Sequence, residues 1–568
     1  MSGFGSMYVG VSGLRTAQDA LNTTAHNLSN LETEGYVRQQ IVQGDRMYTN
    51  IGYASISSMQ VGLGVELSDI RQVRDDFLDQ EYRKEVGRAQ FYMASYEACY
   101  EIENYFQELD GCTYQETIKD LWESVAELAK EPESKVKKEY FILKASEFLQ
   151  RSTAIDASIK EYQENLNRQV TGKIDRINEL GHIIKYYNDK VVGIELGGAE
   201  DANDYRDARN QALDELAELA NISYSVDAEG YVTVKIEGSQ FINRDRVNEM
   251  GYTTDPRTGF YTPIWKHEGD APVFDLSLEI STQNDTNVGA LKALVMARGD
   301  RYANYTDIAY LNQAVEDGTM SSDKAALIYT KETAYSSCMK VQAEFDQMVH
   351  GIVTAINDVL CMDNYQSEDG PVTELFIRIG EAERFQKDAN GDYLLDADGY
   401  YIPIEEENHL LDEKGRYTAV REGNNAYKKL YTVGNLMINP AVLANSSLID
   451  FTKDNGATDY NGAELLMEKW SEEFATLNPT EESKMKFSDY YTGFQDALAN
   501  MTQIYKGIAE GQESMANKTD SSRQEIMGVS SDEELTNMIR FQNAYNASSR
   551  YINVINEMLE HLLNTLGV

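Results

Sequence analysis

Carboxylates and histidines are the residues of this sequence whose chemistry could support catalysis or metal binding. The chain has 568 residues, with 94 Asp and Glu and 6 His. A glycoside hydrolase needs only a pair of carboxylates, but no spacing selects a pair from so many. The sequence contains no H-E-x-x-H, no G-x-S-x-G, no phosphate-binding loop and no G-x-G-x-x-G after a predicted strand. His26 and His561 lie in predicted helices, where packing explains them better than ligation. We therefore predict no enzyme, no catalytic residue and no cofactor.

The acidic segment 362–432 raises the question of calcium binding. It contains DANGDYLLDADGYYIPI, residues 388–404, in which Asp and Gly recur. An EF-hand loop that began at Asp388 would need Gly at the sixth position and Glu at the twelfth, where the sequence has Tyr393 and Gly399. Hairpin turns explain this spacing better. We predict a turn-rich β insertion without a metal ion.

The balance of charge excludes several classes of partner. With 51 Lys and Arg against 94 Asp and Glu, the formal net charge is -43, which repels phosphate groups. We therefore expect no nucleic acid and no membrane partner. No apolar run reaches the roughly 18 residues of a membrane helix, and the start, MSGFGSMYVG, lacks the pattern of a secretory signal. The four cysteines, Cys99, Cys112, Cys338 and Cys361, show no C-x-x-C spacing, so we expect packed thiols.

Both ends of the sequence avoid net charge. Residues 1–31 contain only Arg15 and Asp19 as charged groups, and residues 538–568 contain two Arg and two Glu, so the charges cancel at each end. Identical copies packed side by side place like charges together, and a repeated contact therefore tolerates a neutral segment best. We predict that copies of the chain meet through the two ends while the acidic middle faces solvent.

Apolar residues recur at every seventh position near both ends. The first series is Met7, Leu14, Leu21 and Leu28, and the last is Met538, Tyr545, Ile552, Leu559 and Leu566. Such a repeat forms an apolar seam along one helix face. We predict that the terminal helices pair as a coiled-coil stem; the alternative is two unrelated surface helices on one globule. Ser531 and Glu534 fit a capping box at the start of the last helix.

The period of apolar residues changes along the rest of the chain. Helical spacing predicts one long helix, or two joined near Gly172, and period-two alternation around Asp227 and Gly230 predicts a β-hairpin. The fold class is therefore α+β and multidomain, with a terminal coiled-coil stem, a long helical bundle domain and β-rich outer domains. The predicted domains are a stem of 1–40 with 530–568, a mainly helical domain of 41–221 with 282–361 and 433–529, a β-rich domain of 222–281, and the insertion 362–432.

Both ends resemble the paired signatures of the bacterial flagellar axial proteins, the family of rod, hook and hook-associated components. The N-terminal match consists of Asn27, Leu28, Ser29, Asn30, Thr33, Gly35, Tyr36, Arg38 and Gln39. The C-terminal match consists of Glu533, Glu534, Leu535, Asn537, Gln542, Tyr545, Ala547, Glu557, Met558 and Leu559. Rod and hook members become β-rich soon after the first signature, whereas this chain stays mainly helical there. The resemblance therefore favours the hook-associated branch, to which 61–85 and 202–226 are also similar.

The resemblance implies a structural role. A protein of this branch joins the hook to the filament as a ring-like segment of the axial polymer, and filament assembly needs it. The implied partners are neighbouring copies, about eleven in a ring, the hook protein, a second junction protein or flagellin, and an export chaperone on the C-terminal helix. The implied location is extracellular, on the flagellum, after export by the flagellar type III apparatus without a cleaved signal peptide. The alternatives are another flagellar hook or rod protein, or an extracellular adhesin-like module.

The N-terminal signature also predicts how the first helix ends. Asn30 suits a C-cap, and Gly35 suits a left-handed turn. Short polar side chains before them would let helices of neighbouring copies approach closely. We expect Thr33 to lie in this turn and Tyr36 to anchor it against the next layer of the assembly.

Overall fold

The structure is a computed structural model of the chain. It describes residues 2–33, 35–53, 58–106, 113–197, 201–360, 374–379, 394, 430–451, 457–481 and 483–565. Long helices at both ends and in the body accompany small antiparallel sheets, which confirms the α+β multidomain fold class. The domain boundaries stay a prediction.

Helices form most of the body. They are α1 (Ser2–Ser29), α2 (Asp76–Phe106), α3 (Tyr114–Lys130), α4 (Lys135–Glu195), α5 (Asn203–Leu219), α6 (Ala290–Arg298), α7 (Thr306–Glu316), α8 (Ser322–Glu332), α9 (Ser337–Leu360), α10 (Pro440–Ala444), α11 (Tyr460–Ser471), α12 (Phe487–Met527) and α13 (Ser531–Thr565). The helix predicted around Gly172 is one continuous element, α4. Among the described residues, none of the helices combines the length and apolar composition that crossing a bilayer requires.

The strands form small antiparallel sheets. They are β1 (Gln39–Asp45), β2 (Tyr48–Tyr53), β3 (Ser58–Gly62), β4 (Val65–Gln72), β5 (Ile222–Val226), β6 (Val232–Ile236), β7 (Ser239–Ile242), β8 (Met250–Thr254), β9 (Tyr261–Trp265), β10 (Ala271–Pro272), β11 (Phe376–Arg378) and β12 (Leu436–Ile438). β1 pairs with β4, β2 with β3 and β11 with β12, and the three-stranded sheets have the orders β5-β6-β7 and β8-β9-β10.

The predicted hairpin is confirmed at β5 and β6. Gly230 has a φ of 81°, which favours glycine, and the Asp227 carboxylate accepts the backbone N–H groups of Glu229 and Tyr231 at 3.0 and 2.9 Å. These strands do not form a core of their own. The inward side chains of β6 to β9 belong to the same hydrophobic core as α3, α4, α5, α9 and α12.

Aromatic side chains fill the centre of this core. The rings of Phe106, Phe345 and Phe494 lie 5.1 to 6.4 Å from one another, so α2, α9 and α12 meet there. Burying each such ring is worth about 1.5–3 kcal/mol, which fixes the helical body as a rigid support for the chain ends. Cys99 and Cys338 are free, buried thiols, and burial raises the pKa of Cys99 to about 11. Cys112 and Cys361 lie outside the described residues.

The insertion 362–432 is described at 374–379, at 394 and at its end, 430–432. There β11 pairs with β12, in register from Phe376 with Ile438 to Arg378 with Leu436. The repeated Asp-Gly turns of 388–404 fall, apart from residue 394, outside the described residues, so the predicted β insertion stays a prediction.

Candidate functional site at the base of the terminal helices

The two terminal helices pair in antiparallel fashion. A Cβ atom on Gly10 would lie 2.7 Å from Ile552 Cγ1, and one on Gly13 would lie 2.9 Å from Ser548 Oγ. At the other end of α1, the Asn27 side chain reaches Glu534 near the start of α13. The predicted pairing of the chain ends is therefore confirmed, and its closest approach depends on residues without bulky side chains.

Small and polar residues form the buried face of α1. This face consists of Gly10, Ser12, Thr16, Ala17, Ala20, Thr23, Thr24 and Asn27. From the predicted apolar seam, Leu14, Leu21 and Leu28 are half-buried beside this face, and Met7 is exposed. Short side chains let the α1 and α13 backbones come close, whereas the longer leucines pack at the margin.

The α13 residues of the predicted seam face α1 only in part. Met538, Tyr545, Ile552 and Leu559 are half-buried, and Leu566 lies outside the described residues. A second set of apolar residues on α13 is exposed: Leu535, Ile539, Tyr551, Val554, Met558, Leu562 and Leu563. One copy of α1 therefore covers one face of α13 and leaves another apolar face open.

Asn27 is the centre of the polar contacts at the base of the pair. Its amide Nδ2 donates to the Gln39 carbonyl at 2.9 Å and to Glu534 Oε2 at 3.2 Å. Its Oδ1 accepts from the Gln39 N–H at 3.0 Å and from the Tyr36 hydroxyl at 2.8 Å. The side chain is 1% exposed. A buried amide with these partners fixes α1, the following turn and α13 in one geometry.

The turn after α1 follows the predicted outline. Gly35 has a φ of 78°, as a left-handed turn requires. Asn30 Nδ2 donates to the His26 carbonyl at 3.0 Å, and Thr33 Oγ1 donates to Asn30 Oδ1 at 3.2 Å. The Tyr36 hydroxyl lies 3.0 Å from His26 Nδ1. Tyr36 thus holds the turn through contacts within its own chain, and the expectation that it anchors the next layer stays a prediction.

Glu534 joins α13 to the same site. Its Oε1 accepts from Arg38 Nε at 2.9 Å, while Arg38 Nη1 lies 2.9 Å from Glu533 Oε2. The predicted capping box at Ser531 is therefore wrong, because the Glu534 carboxylate turns inward to Arg38 and Asn27. The cap lies one residue earlier, where Ser530 Oγ accepts from the Glu533 N–H at 3.5 Å.

The body meets this site through α5. Asp207 Oδ2 accepts from the Val37 N–H at 3.2 Å, Asp207 Oδ1 accepts from Gln72 Nε2 at 2.6 Å, and Gln39 Nε2 donates to Asp204 Oδ1 at 3.2 Å. Burial raises the pKa of Asp207 to about 7, although the Val37 N–H opposes the shift. The structure thus unites the N-terminal signature with the family-like segment 202–226.

Burial, and then the carboxylates of Asp204, Asp207 and Glu534, raise the pKa of the Tyr36 hydroxyl well above its usual value. Tyr36 therefore stays protonated and remains a hydrogen-bond donor to Asn27 at any physiological pH.

A buried ionic network fixes the end of α12 beside this site. Arg523 Nη2 donates to Asp214 Oδ2 at 2.9 Å, and Arg83 Nε donates to Asp214 Oδ1 at 2.6 Å. Arg523 Nε lies 3.1 Å from Asp79 Oδ1, at an angle that makes an ion pair and no hydrogen bond. Although burial opposes it, the two guanidinium groups lower the pKa of Asp214. α2, α5 and α12 are thereby held together.

Neither this network nor the hydrogen bond from Gln72 to Asp207 was predicted from the sequence. The sequence contained a clue to Asp214 alone, because Asp214 belongs to the segment 202–226, which resembles the hook-associated branch. Its partner Arg523 lies 309 positions later, so no local spacing could connect them.

The arrangement can hold surfaces in a fixed position. Within the described ranges, no three His, Cys, Asp or Glu side chains are grouped to hold a metal ion. The carboxylates of the site are used by N–H and guanidinium donors of the chain itself. What the site can do is hold two terminal helices at a fixed angle on a rigid body.

Three family models match this chain. Residues 99–363 match the flagellar hook-associated protein FlgK helical domain, residues 7–36 match the flagella basal body rod protein, and residues 521–565 match the flagellar basal body rod FlgEFG protein C-terminal region. The two terminal matches contain most of α1 and all of α13 up to its last described residue, and the first covers most of the helical body.

Full-length relatives agree with the family models. The chain is 24% identical to flagellar hook-associated protein 1 of Bacillus subtilis, with 99% of each covered, and 21% identical to that of Escherichia coli, with 98% of each covered. It shares its fold with the flagellar hook junction protein FlgK from Burkholderia pseudomallei, with a TM-score of 0.51 and 11% identity over 78% of this chain and 99% of that chain. Along nearly its whole length, the chain is therefore similar to flagellar hook-associated protein 1.

Proposed function

We propose that this protein is a structural component of the bacterial flagellum that joins the hook to the filament as a ring-like segment of the axial polymer. The observation that carries this proposal is the terminal helix pair. Its base is fixed by the buried contacts of Asn27 and Glu534, whereas α13 exposes an apolar face beyond α1. A face of this kind, on a rigid support, is typical of a subunit that is completed by its neighbours.

The exposed face of α13 gives the energetic reason for assembly. Ile539, Met558 and Leu563 are 61%, 58% and 64% exposed. Covering one such side chain contributes about 1.5–3 kcal/mol, so several of them can offset the entropy lost when copies associate. The neutral ends of the chain add no like-charge repulsion at the contact itself, although the acidic middles of neighbouring copies, which carry the net charge of -43, still repel one another. Burial of apolar side chains and the absence of net charge thus both favour contact between the terminal helices of neighbouring copies.

The finer parts of the proposal come from the resemblance to the flagellar axial proteins. Neighbouring copies, about eleven in a ring, pack their terminal helices around the axis, and the hook protein and a second junction protein or flagellin adjoin the ring. An export chaperone covers α13 before assembly, because its exposed apolar face would otherwise promote aggregation. The chain leaves the cell through the flagellar type III apparatus and acts extracellularly, in a role that requires no catalysis.

The alternatives are not favoured. A hook or rod protein fits poorly because the match over 99–363 is to a hook-associated helical domain. An adhesin-like role would depend on the insertion 362–432, whose described residues form only β11 and the approach to β12.

Deleting residues 540–568 tests the proposal in cells. The deletion removes Arg540, Arg550, Glu557 and Glu560, so the net charge is unchanged and only the helix is lost. We expect hooks without filaments in electron micrographs, and filament subunits shed into the medium, as in a strain without the protein. A hook or rod protein would instead leave cells without hooks. Filaments on the hooks of cells that make only the truncated chain would show the proposal to be wrong.

A further inference from the structure

The outward face of α12 is apolar and is not covered by the described part of the chain. Ile504, Ile508 and Met515 are 52%, 36% and 54% exposed, and their spacing of four and seven residues places them on one side of the helix. The side about 100° around the helix is buried against the body, through Leu498, Thr502, Ala509, Ala516 and Arg523. The three exposed residues therefore form a stripe, here called the α12 stripe, that lies beside the packed side of the helix and is open to solvent among the described residues.

Two glycines beside the α12 stripe are not required by any close contact within the described part of the chain. Gly507 and Gly511 lie in the interior of a helix, where glycine is destabilising relative to alanine. Neither has a positive φ, and a Cβ atom on either would meet no described atom within 4 Å. The missing side chains leave a shallow strip between Ile508 and Met515, which lets the backbone of another element approach closely.

Charge limits what can occupy this strip. Residues 497–519 contain Lys506, Glu510, Glu513 and Lys518 as charged groups, which cancel, in a chain of net charge -43. A neutral face gives a basic protein, a nucleic acid or an anionic membrane no attraction. It is the kind of face on which an equally acidic molecule, such as a second copy, can pack with little repulsion, and Lys518, on the same side of the helix as Met515, is available for pairing across the contact.

The α12 stripe lies close in sequence to the contact face of α13. Ile526 near the end of α12 and Leu535 near the start of α13 are 41% and 46% exposed, and only residues 528–530 separate the two helices. Ile526 lies on the same side of α12 as Met515, so the stripe faces the side of the helix from which the chain leads into the terminal helix pair.

We propose that the α12 stripe is a lateral docking surface for a second copy of this chain. The inference rests on the proposed function and extends its subunit contact from the terminal helices to the helical body. A neighbour packs an element against Ile504, Ile508 and Met515, and the glycine strip sets how closely it approaches. The helical body then fixes the angle between neighbouring copies. If only the terminal helices made contact, residues 528–530, which link α12 to α13, would determine that angle.

Photo-crosslinking in assembled flagella tests the proposal. A benzophenone amino acid is placed at Met515, at Met558 on α13, or at Leu143, a control on α4 that is 54% exposed and therefore matched to Met515. Hook-filament structures are isolated and irradiated. We expect products of twice the chain mass from the probes at Met515 and Met558, and none from the probe at Leu143.

The outcomes separate this proposal from the proposed function. If Met558 gives the two-copy product but Met515 gives none, or a product of another mass, the docking surface is wrong and the junction role stands. If neither probe gives a two-copy product, both proposals are overturned.

Gly511→Leu provides a second test, with Gly172→Leu as its matched control. Gly172 also lies inside a long helix and has no described atom within 4 Å of its Cβ position, but it has Arg168 and Arg176 four residues away on either side. We expect both substitutions to raise the melting temperature of the purified chain, because each improves helix propensity. Only Gly511→Leu should lose incorporation into the junction. Normal incorporation of Gly511→Leu would overturn the proposal.

Discussion

Asn27 explains why the N-terminal signature contains so weak a helix former at the end of α1. The position needs two donors and two acceptors within one short side chain, because Gln39, Tyr36 and Glu534 converge on it. Only an amide supplies both, so a leucine or an aspartate at this site would leave buried groups unpaired. The helix propensity lost at Asn27 is offset by these tertiary contacts.

The substitution Asn27→Asp tests this role of the amide, because it changes the hydrogen-bonding groups of the side chain with almost no change in its volume. The variant keeps the acceptors, loses both donors and places a carboxylate beside Glu534, so we expect the free energy of unfolding to fall by about 3 kcal/mol near neutral pH. Denaturant unfolding measures the loss, and hydrogen exchange at the Gln39 N–H locates it. Asn22→Asp, on the exposed side of α1, is the control and should change stability by less than about 0.5 kcal/mol. Equal effects of the two substitutions would contradict the role of Asn27.

Asp207 should make the base of the stem sensitive to pH. Its pKa is about 7 in the folded chain, above the value of about 4 for an unfolded aspartate. The folded state therefore holds a proton that the unfolded state has released, and the contribution of Asp207 to stability falls as pH rises from about 4 to about 7. Asp207→Asn lacks this titration. We expect the difference in unfolding free energy, wild type minus variant, to decrease across that window and to be constant above it; a difference independent of pH would refute the assignment.

The signature residues were predictable from sequence, but their contacts were not. Gly35 could be assigned to a left-handed turn because the requirement is local. The polar residues before it were expected to contact neighbouring copies, whereas Asn27 bonds within its own chain to Glu534, 507 positions later. The spacing of nearby residues cannot reveal a partner that lies so far away in the sequence. The same reason explains why the network of Arg523, Asp79 and Asp214 was missed.

At the scale of elements, the seven-residue repeat located the terminal helices but not the buried face of α1. The leucine series lies beside that face, and the residues three positions later, Gly10, Ala17 and Thr24, lie within it. Hydrophobicity alone points to leucine as the centre of a contact. Here close backbone approach decides the packing, because a Cβ on Gly10 would already collide with Ile552. A pattern of apolar residues does not show which of two adjacent faces permits that approach.

The ionic network at the end of α12 makes an element-scale prediction. Arg523 neutralises Asp79 and Asp214, which are buried between α2, α5 and α12. Arg523→Gln removes one guanidinium group, while Arg74 still pairs with Asp79 and Arg83 still pairs with Asp214. Each carboxylate thus loses one of its two partners, so we expect a loss of about 1–3 kcal/mol of unfolding free energy. Arg168→Gln, at an exposed position of α4, is the control. The loss should shrink as the pH falls through the lowered pKa of Asp214, because a protonated Asp214 no longer pairs with Arg523. An unchanged midpoint at neutral pH would show that the network does not hold α12.

At the scale of the whole molecule, the two chain ends combine a fixed base with an open tip. The polar contacts of Asn27 and Glu534 are completed within one chain, whereas the apolar residues toward the end of α13, such as Met558 and Leu563, are not covered. The sequence predicted that copies meet through the two ends, because both ends lack net charge while the middle is acidic. It could not predict that the stem is anchored by buried polar groups rather than by its leucines.

Charge then sets the conditions under which copies associate. At a net charge of -43, the acidic bodies of adjacent copies repel one another, and this repulsion is screened over about 10 Å in 0.1 M salt and about 3 Å in 1 M salt. We expect the purified full-length chain to self-associate more strongly as sodium chloride rises over this range, measured by sedimentation velocity. The chain without residues 540–568 carries the same net charge, because the deletion removes two Arg and two Glu. It should therefore associate much less than the full-length chain at every salt concentration, since screening removes repulsion but leaves the α12 stripe as the one proposed contact that the truncated chain keeps. Strong association of the truncated chain at high salt would place the main contact between copies outside α13. If the full-length chain associated less as the salt concentration rose, ion pairs rather than burial of apolar side chains would hold the copies together.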